Sequence, residues 1–331
     1  MASPGQGYSA GAFNVFSELV TTTFRNHSRE VADAVSKHNA LYRKLTESGK
    51  VRKEDGGLSI VMPLEYASNG TYQRYSGYDA LNISASDVLT AAEFPWRQVA
   101  VALPISGLEM RTNSGENRII NFVKAKVKNA MHSMANGLSS DIYSDGTASN
   151  QINGLQALIS DTGTGTVGGI NSTTYSFWQN KVQSAAAPLQ GGSAITVSAT
   201  TLESLMLPLW LEQTRGMDMP DLIVMSNDYF QLFEQSQTSL KRYTPDQNGQ
   251  AGMMSMKYKA ADVFFDSSGG IPSSHAYFLN TKYIELVVHQ DANMTLLDDV
   301  KSINQDAILK TLIWQGNLAV SNRALQGVLK A

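Results

Sequence analysis

The sequence predicts an α+β protein organised around one long helix. Apolar residues recur every three to four positions over residues 113–143, the spacing of an amphipathic helix. Two extended apolar segments flank a polar, tyrosine-rich run between residues 58 and 106. Short apolar strands alternate with helical segments from about residue 200 onward. Together these patterns indicate helices and sheets that share one chain of 331 residues.

The first 57 residues are predicted to form an N-terminal arm. Small residues occupy positions 1–11, and a helical apolar pattern that contains Phe13 and Phe16 follows them. A second helical pattern runs from about Arg29 to Glu47, with Gly49 after its end. Neither helix has an obvious compact partner in the sequence, so the arm is expected to lie on a neighbouring molecule.

Residues 58–106 are predicted to form an extended-loop hairpin. The strands span about 58–64 and 91–105, and Asn69-Gly70 is a hairpin turn signal between them. The aromatic residues of this region have little local core to join. Tyrosine and arginine are favoured at protein interfaces. The candidate contacts between subunits are therefore Phe13, Phe16, Tyr72, Arg74, Tyr75, Tyr78, Trp96 and Arg111.

The remaining chain divides into three predicted parts. Residues 107–160 contain the long helix. Asn113 and Glu116 form a capping-box pattern at its start, and its length would be ~45 Å. Such a helix is too long for one small core to enclose, so we interpret it as a spine. Residues 161–300 form mainly an α/β subdomain, and residues 301–331 form returning strands, about 308–317 and 318–329.

Composition limits the possible functions. The chain is 17% charged, below the ~25% of an ordinary soluble domain. This suits a protein whose surface is largely covered by copies of itself. The net charge is -3, and the basic residues near the start, diluted by acids, favour a solvated helix face over a DNA-facing surface. There is no cysteine, which excludes disulfides and thiolate sites.

No targeting or catalytic signal is convincing. No apolar run reaches the ~20 residues that span a bilayer, and the N-terminus lacks a signal-peptide pattern, so synthesis in a cytoplasm is expected. Residues 7–11 spell a nucleophile elbow without a preceding strand. Residues 163–168 spell a dinucleotide fingerprint, but no helix is predicted after them. The five histidines lack metal-ligand spacing. We expect no catalytic residue, metal or cofactor, and no enzyme activity.

Several segments look familiar, and their order is more specific than any one of them. They are AEFPWRQVAVALPISGLEMRTNSGENRIINFVKAKVKNAM (92–131), SSDIYSDG (139–146), GGINSTTYSFWQN (168–180), DLIVMSNDYFQLFEQSQTSLKRY (221–243) and YFLNTKYIEL (277–286). The matches span most of the chain from about residue 58 onward. They resemble the major capsid proteins of tailed bacteriophages, which have the Hong Kong 97-like fold.

The resemblance implies an arm, an extended loop, a peripheral domain with the spine helix, and an axial domain near the capsomer centre. The peripheral domain would comprise residues 107–160 and 301–331, and the axial domain most of 161–300. Such a chain forms hexamers and pentamers that close into an icosahedral head around double-stranded DNA, contacted non-specifically. It would be assembled in a host bacterial cytoplasm and located in the virion, with a portal as a further partner.

Two departures from the type member of that family change the expectations. The type member joins a loop lysine to a neighbour's asparagine, but this chain has no lysine between Lys53 and Lys124. We therefore expect no covalent crosslinking, and a separate cement protein is an expected partner. The predicted arm begins near residue 12, which leaves no room for a cleavable scaffolding segment before it. A separate scaffolding protein is the expected arrangement.

Three alternatives remain open from the sequence. An encapsulin-like compartment would have the same fold and carry protein cargo. A portal or tail protein would be another structural part of a virion. A hydrolase would need a convergent nucleophile and base, which the sequence does not present.

Overall fold

The computed structural model describes residues 39–112, 116–237, 256–266, 270–298, 300–301 and 305–331. The predicted first helix, with Phe13 and Phe16, lies outside them.

The helices are α1 (Ala40–Glu47), α2 (Gly107–Thr112), α3 (Glu116–Asp141), α4 (Leu155–Leu158), α5 (Leu202–Gln213) and α6 (Asn227–Ser236). The first eight strands are β1 (Val51–Glu54), β2 (Ser59–Glu65), β3 (Leu89–Pro95), β4 (Arg97–Ser106), β5 (Thr166–Val167), β6 (Ile170–Asn171), β7 (Lys181–Ser184) and β8 (Leu222–Met225). The others are β9 (Met256–Tyr258), β10 (Ala261–Phe265), β11 (His275–Leu279), β12 (Ile284–His289), β13 (Thr295–Leu296), β14 (Val300–Lys301), β15 (Ala307–Val320) and β16 (Gly327–Lys330).

The first sheet is organised around β15. Strand β4 pairs antiparallel with β15 over ten residues, from Ser106 opposite Ala307 to Arg97 opposite Gly316. Strands β12, β13 and β14 pair with the other edge of β15, and β1 adds to β12 in parallel. Helix α3 packs on β4 through a buried apolar stripe, the spacing that predicted it. The stripe in the part of α3 with described side chains is Val127, Met131, Met134, Ala135 and Leu138.

The second sheet has the order β7-β16-β11-β8-β10-β9 and its own apolar cluster. Helix α5 packs against β7 and β16, and α6 packs against β10. Strand β8 is buried along its whole length, which explains its continuous apolar run, LIVM. The predicted α/β subdomain is therefore present, with a sheet that contains both parallel and antiparallel pairs.

The predicted hairpin is also present, with different bounds. Strands β2 and β3 pair antiparallel from Ser59 opposite Pro95 to Glu65 opposite Leu89. The connection between them runs over residues 66–88, so Asn69-Gly70 makes a local turn and not the link between the strands. The predicted second strand, 91–105, is in fact two strands, because the chain leaves β2 at Trp96 and pairs with β15 instead.

The described end of the predicted arm does not project from the molecule. Leu41 and Leu45 of α1 are fully buried, and β1 is a strand of the first sheet. Asn39 caps α1, and its side-chain amide donates to the carbonyl of Ser139 at 3.0 Å. The expectation that this segment lacks a partner in its own chain is wrong for residues 39–54, because the sequence does not show contacts made far along the chain.

Two further boundaries differ from the prediction. Strands β12 to β14, within the predicted range 161–300, join the first sheet, whereas β16 at the C-terminus joins the second. The returning segment forms one strand over Ala307–Val320 without the expected division near residue 317. An apolar run predicts a strand but not the strand with which it pairs, so the sequence pattern is the same whichever sheet the strand joins. The assignment of peripheral and axial positions in a shell stays a prediction.

Candidate assembly interface

The connection between β2 and β3, residues 66–88, is called the hairpin tip here. It exposes large aromatic side chains: Tyr72 is 84% accessible, Tyr75 is 65% accessible, and Tyr78 is fully accessible. Arg74 lies exposed among them. Scattered exposed apolar residues are ordinary, but several aromatic residues close together on one projection are typical of an interaction surface.

The tip is shaped by hydrogen bonds between side chains and backbone, and not by an apolar core. The Asn69 carboxamide oxygen accepts from the backbone N–H of Thr71 at 2.9 Å, and Asp79 accepts from the backbone N–H of Ser76 at 2.8 Å. The Gln73 amide donates to the carbonyl of Ala80 at 3.1 Å. Such local turns give a segment a preferred shape without burial. The tip therefore presents its tyrosines on a partly pre-formed surface.

The base of the hairpin packs on its own chain. One face of the two strands is buried, comprising Ile60, Met62, Leu64, Ala92 and Phe94. Gly168 lies directly beneath this face: a Cβ added there would be 2.8 Å from the Cβ of Ala92 and 3.0 Å from the Phe94 ring. Its φ of +59° also lies in the left-handed region, so glycine is required for two reasons. Alternation along β2 and β3 thus fixes which face is buried.

A buried arginine holds the loops beneath the hairpin base. Arg323 is fully buried and donates to the Leu158 carbonyl at 2.7 Å and the Trp178 carbonyl at 3.2 Å. It also donates to the hydroxyls of Ser172 at 3.0 Å and Ser160 at 2.9 Å. Burial lowers the pKa of the Arg323 guanidinium to about 10. Because all four acceptors are neutral, this arginine joins loop segments by hydrogen bonds and not by an ion pair.

Tyr66 marks the boundary between base and tip. Its ring stacks on Phe177 with centroids 5.2 Å apart. Partial burial and the nearby Asp87 carboxylate raise the pKa of Tyr66, because both disfavour the phenolate. Beyond this residue the side chains on both sides of the connection become exposed.

The structure brings four of the eight candidate contact residues together. Tyr72, Arg74, Tyr75 and Tyr78 share the exposed tip. Trp96 does not: its indole N–H donates to the Gly57 carbonyl at 3.0 Å, and its ring meets His289 edge-on. Arg111 lies in α2, and its side chain is outside the described part of the chain, as are Phe13 and Phe16. A contact between subunits stays a prediction for all eight.

Sequence reasoning missed three exposed apolar residues in this region. Leu58 before β2 is 99% accessible, and Leu81 and Ile83 of the tip are also exposed, Ile83 at 91%. In the sequence, each of them is an isolated apolar residue within a polar run. Such a residue can be buried or exposed, and only the structure shows that these three are exposed.

The rejected chemical motifs can now be placed. Residues 163–168 include β5 of the short β5–β6 hairpin, so the segment directly after the glycines is a strand and not a helix, as predicted. Residues 7–11 lie outside the described chain. No group of three or more histidine or acidic residues that could hold a metal occurs among the described residues. Within the same residues, no helix is long and apolar enough to cross a membrane.

Comparison with known proteins gives structural matches only. No family model matches the chain, and no curated protein matches it. A capsid asymmetric unit of cyanophage A-1(L) matches with a TM-score of 0.63 at 15% identity, over 85% of this chain and 90% of that one. A capsid of a native GTA particle matches with a TM-score of 0.54 at 11% identity, over 86% and 88%.

A structure from Mycobacterium phage Bobi matches with a TM-score of 0.53 at 13% identity, over 86% of this chain and 89% of that one. Each of these likenesses spans 85% or 86% of this chain. The chain therefore has the fold of phage capsid proteins, the Hong Kong 97-like α+β fold.

Proposed function

We propose that this chain is the major capsid protein of a tailed bacteriophage, which assembles as hexamers and pentamers into an icosahedral head. The observation that carries the proposal is the hairpin, whose base is buried in its own chain while its tip exposes Tyr72, Tyr75 and Tyr78. A capsid fold supplies the context for this contrast. The exposed tip fits a surface that is completed by a second copy.

The physical basis of assembly would be repetition of modest contacts. Head-to-tail contacts close into rings when the rotation between subunits divides a full turn. Each tip contact is small beside the ~1,600 Å² of a typical stable complex. A single pair of subunits would therefore associate weakly, whereas a closed ring makes every contact at once. This arrangement favours complete capsomers over partial ones.

The two sheets would then have different positions. The sheet around β15, with α3 packed on it, would form the peripheral domain. The sheet that contains β8 and β11 would form the axial domain near the capsomer centre. Residues 1–57 would supply the arm, although α1 and β1 are part of the folded chain.

The proposed partners follow from the same role. The shell would enclose double-stranded DNA with non-specific contacts, and the net charge of -3 argues against a dedicated nucleic-acid-binding surface. A scaffolding protein, a portal and a cement protein are proposed as separate chains. Assembly would take place in the host bacterial cytoplasm, and the product would be part of the virion. The chain would act by structure and not by catalysis.

Electron microscopy of the expressed protein tests the proposal. We expect closed shells with five-fold and six-fold capsomers, formed with or without a co-expressed scaffold. Nuclease-resistant DNA in purified particles would support a virus head, and a co-purified enzyme would indicate an encapsulin-like compartment. Isolated rings, tubes or a monomer at every concentration would contradict a shell. Mass spectrometry should find no linked Lys–Asn peptides.

A further inference from the structure

The two edges of the β2–β3 hairpin differ in their backbone groups. The N–H of Tyr66 donates to the carbonyl of Val88 at 3.0 Å, so the residues opposite each other at 64/90 and 62/92 also exchange hydrogen bonds. The alternate residues of β3 then direct their N–H and C=O groups away from β2. Glu93 confirms this direction, because its N–H donates to the Gly168 carbonyl at 3.0 Å.

The outward groups of Leu89 and Ala91 are open. No partner among the described residues bonds to their backbone N–H or C=O groups. On β2, by contrast, Pro63 occupies the outward position directly opposite Ala91. Proline has no N–H, and its presence on an outer edge prevents another strand from pairing there. The β2 edge is thus blocked in mid-strand at Pro63, whereas the β3 edge is open at Leu89 and Ala91 and is closed near its end, at Glu93 and Pro95.

The open edge borders a groove of about 470 Å³ between β3 and the β5–β6 turn. Aromatic side chains form one wall: Tyr66, Tyr175 and Phe177. Glu93 and Asp87 supply negative charge, and Gly169, where an added Cβ would meet nothing within 4 Å, leaves room for a backbone. Unpaired strand groups beside aromatic and acidic side chains suit an added strand that carries aromatic residues and a cation.

We propose that the occupant is the tip segment Thr71–Tyr75 of a second copy of this chain, added as a strand to the open edge of β3. The inference rests on the proposed function and names the surface that receives the tip. The segment reads Thr-Tyr-Gln-Arg-Tyr, and its threonine and tyrosines have high β propensity. Residues 72–76 belong to no helix or strand of their own chain.

Charge complementarity supports this occupant. Arg74 is exposed and forms no ion pair within the described part of the chain, and Glu93 is exposed in the groove. In a strand, Tyr72 and Arg74 would lie on one face and Gln73 and Tyr75 on the other. One face can therefore offer the Arg74 cation to Glu93, and the other face can offer the Tyr75 ring to the aromatic wall.

The first experiment closes the open edge. Ala91→Pro removes the outward N–H of β3, as Pro63 already does on β2, and it leaves the hydrogen bonds to β2 in place. Val61→Pro is the matched control, because Val61 also points its backbone outward but on the blocked edge. We expect the yield of shells to fall roughly tenfold for Ala91→Pro, since the lost bond recurs at every contact. Val61→Pro should assemble as the unmodified chain does.

The second experiment uses the charge pair and does not depend on a proline. Glu93→Lys should reduce the shell yield, and the double variant Glu93→Lys with Arg74→Glu should restore it. Glu65→Lys, an exposed acid opposite Leu89 on β2, is the control and should assemble normally. Circular dichroism of the unassembled variants verifies that each one is folded.

The outcomes separate this inference from the proposed function. If the unmodified chain forms shells and Ala91→Pro assembles equally well, the edge contact is wrong and the capsid role stands. If Ala91→Pro does not fold, the charge variants decide. Failure of the double variant Glu93→Lys with Arg74→Glu to restore the shell yield would then show that the tip does not bind the β3 edge. If the unmodified chain forms no shell, the proposed function fails first.

Discussion

The base and the tip of the hairpin both contain aromatic side chains, but those side chains have different environments. Phe94 at the base is fully buried against the chain's own loops, whereas Tyr78 at the tip is fully accessible. The strand pattern decides the difference at the base, since β2 and β3 alternate buried and exposed residues. No such alternation reaches the tip, whose shape depends on local hydrogen bonds.

The contrast shows how one element can serve both folding and assembly. The base fixes the direction of the hairpin, and Arg323 holds the loops on which it rests. The tip contributes little to the stability of its own chain, so its side chains are free to contact another molecule. The four predictions below address this division in order of decreasing effect on the free energy of unfolding.

Phe94→Ala should have the largest effect. It empties a fully buried site above Gly168, and loss of a core phenylalanine costs ~3–5 kcal/mol of unfolding free energy. Urea denaturation of the unassembled chain measures the change. Leu58→Ala, at an exposed position beside the same strands, is the control and should change stability by less than ~0.5 kcal/mol. Equal effects would show that the base is not a core.

Arg323→Met should destabilise the chain by about 2–3 kcal/mol, because the change leaves buried acceptors on Leu158, Ser160, Ser172 and Trp178 unpaired. The same denaturation experiment applies.

A surface arginine gives the comparison for this change. Arg43 pairs with Glu47 one turn away on α1, and Arg43→Met should cost less than ~1 kcal/mol. If Arg323→Met is as mild as Arg43→Met, the support beneath the hairpin base does not depend on this arginine.

Replacing Tyr72, Tyr75 and Tyr78 together with serine should separate stability from assembly. The unfolding free energy should change by less than ~0.5 kcal/mol, since these side chains are exposed. Shell formation should be lost, because aromatic anchors supply most of the energy of a contact. Sedimentation and electron microscopy measure assembly. Normal shells from a folded triple variant would remove the tip from the interface.

The smallest effect concerns pH at the boundary between base and tip. The pKa of Tyr66 is raised above its ordinary 10.0, so its neutral form stabilises the folded state. This contribution is complete below pH 10 and is lost as the pH rises through the raised pKa. Thermal melting of Tyr66→Phe should therefore decline less above pH 10 than that of the unmodified chain. Identical profiles would show that this hydroxyl has no part in stability.

Local patterns predicted a large part of this fold. The long helix follows from apolar residues every three to four positions, and α3 ends at Asp141, close to the predicted end. Strand β12 (Ile284–His289) is one of the short apolar strands predicted after about residue 200. In the hairpin, the polar, tyrosine-rich run correctly indicated the exposed tip. These features depend on neighbours within a few residues, which is why the sequence is sufficient.

The tertiary structure alone decided which segments meet. The sequence determined the α+β class, the spine helix, the hairpin and the absence of cysteine chemistry. It did not determine that β1 joins β12, that Trp96 contacts Gly57 and His289, or that the β3 edge is open at Leu89 and Ala91. Strand pairing brings together residues far apart in sequence, and similar apolar strands can satisfy either sheet. The choice among them is made by the packing of the whole chain.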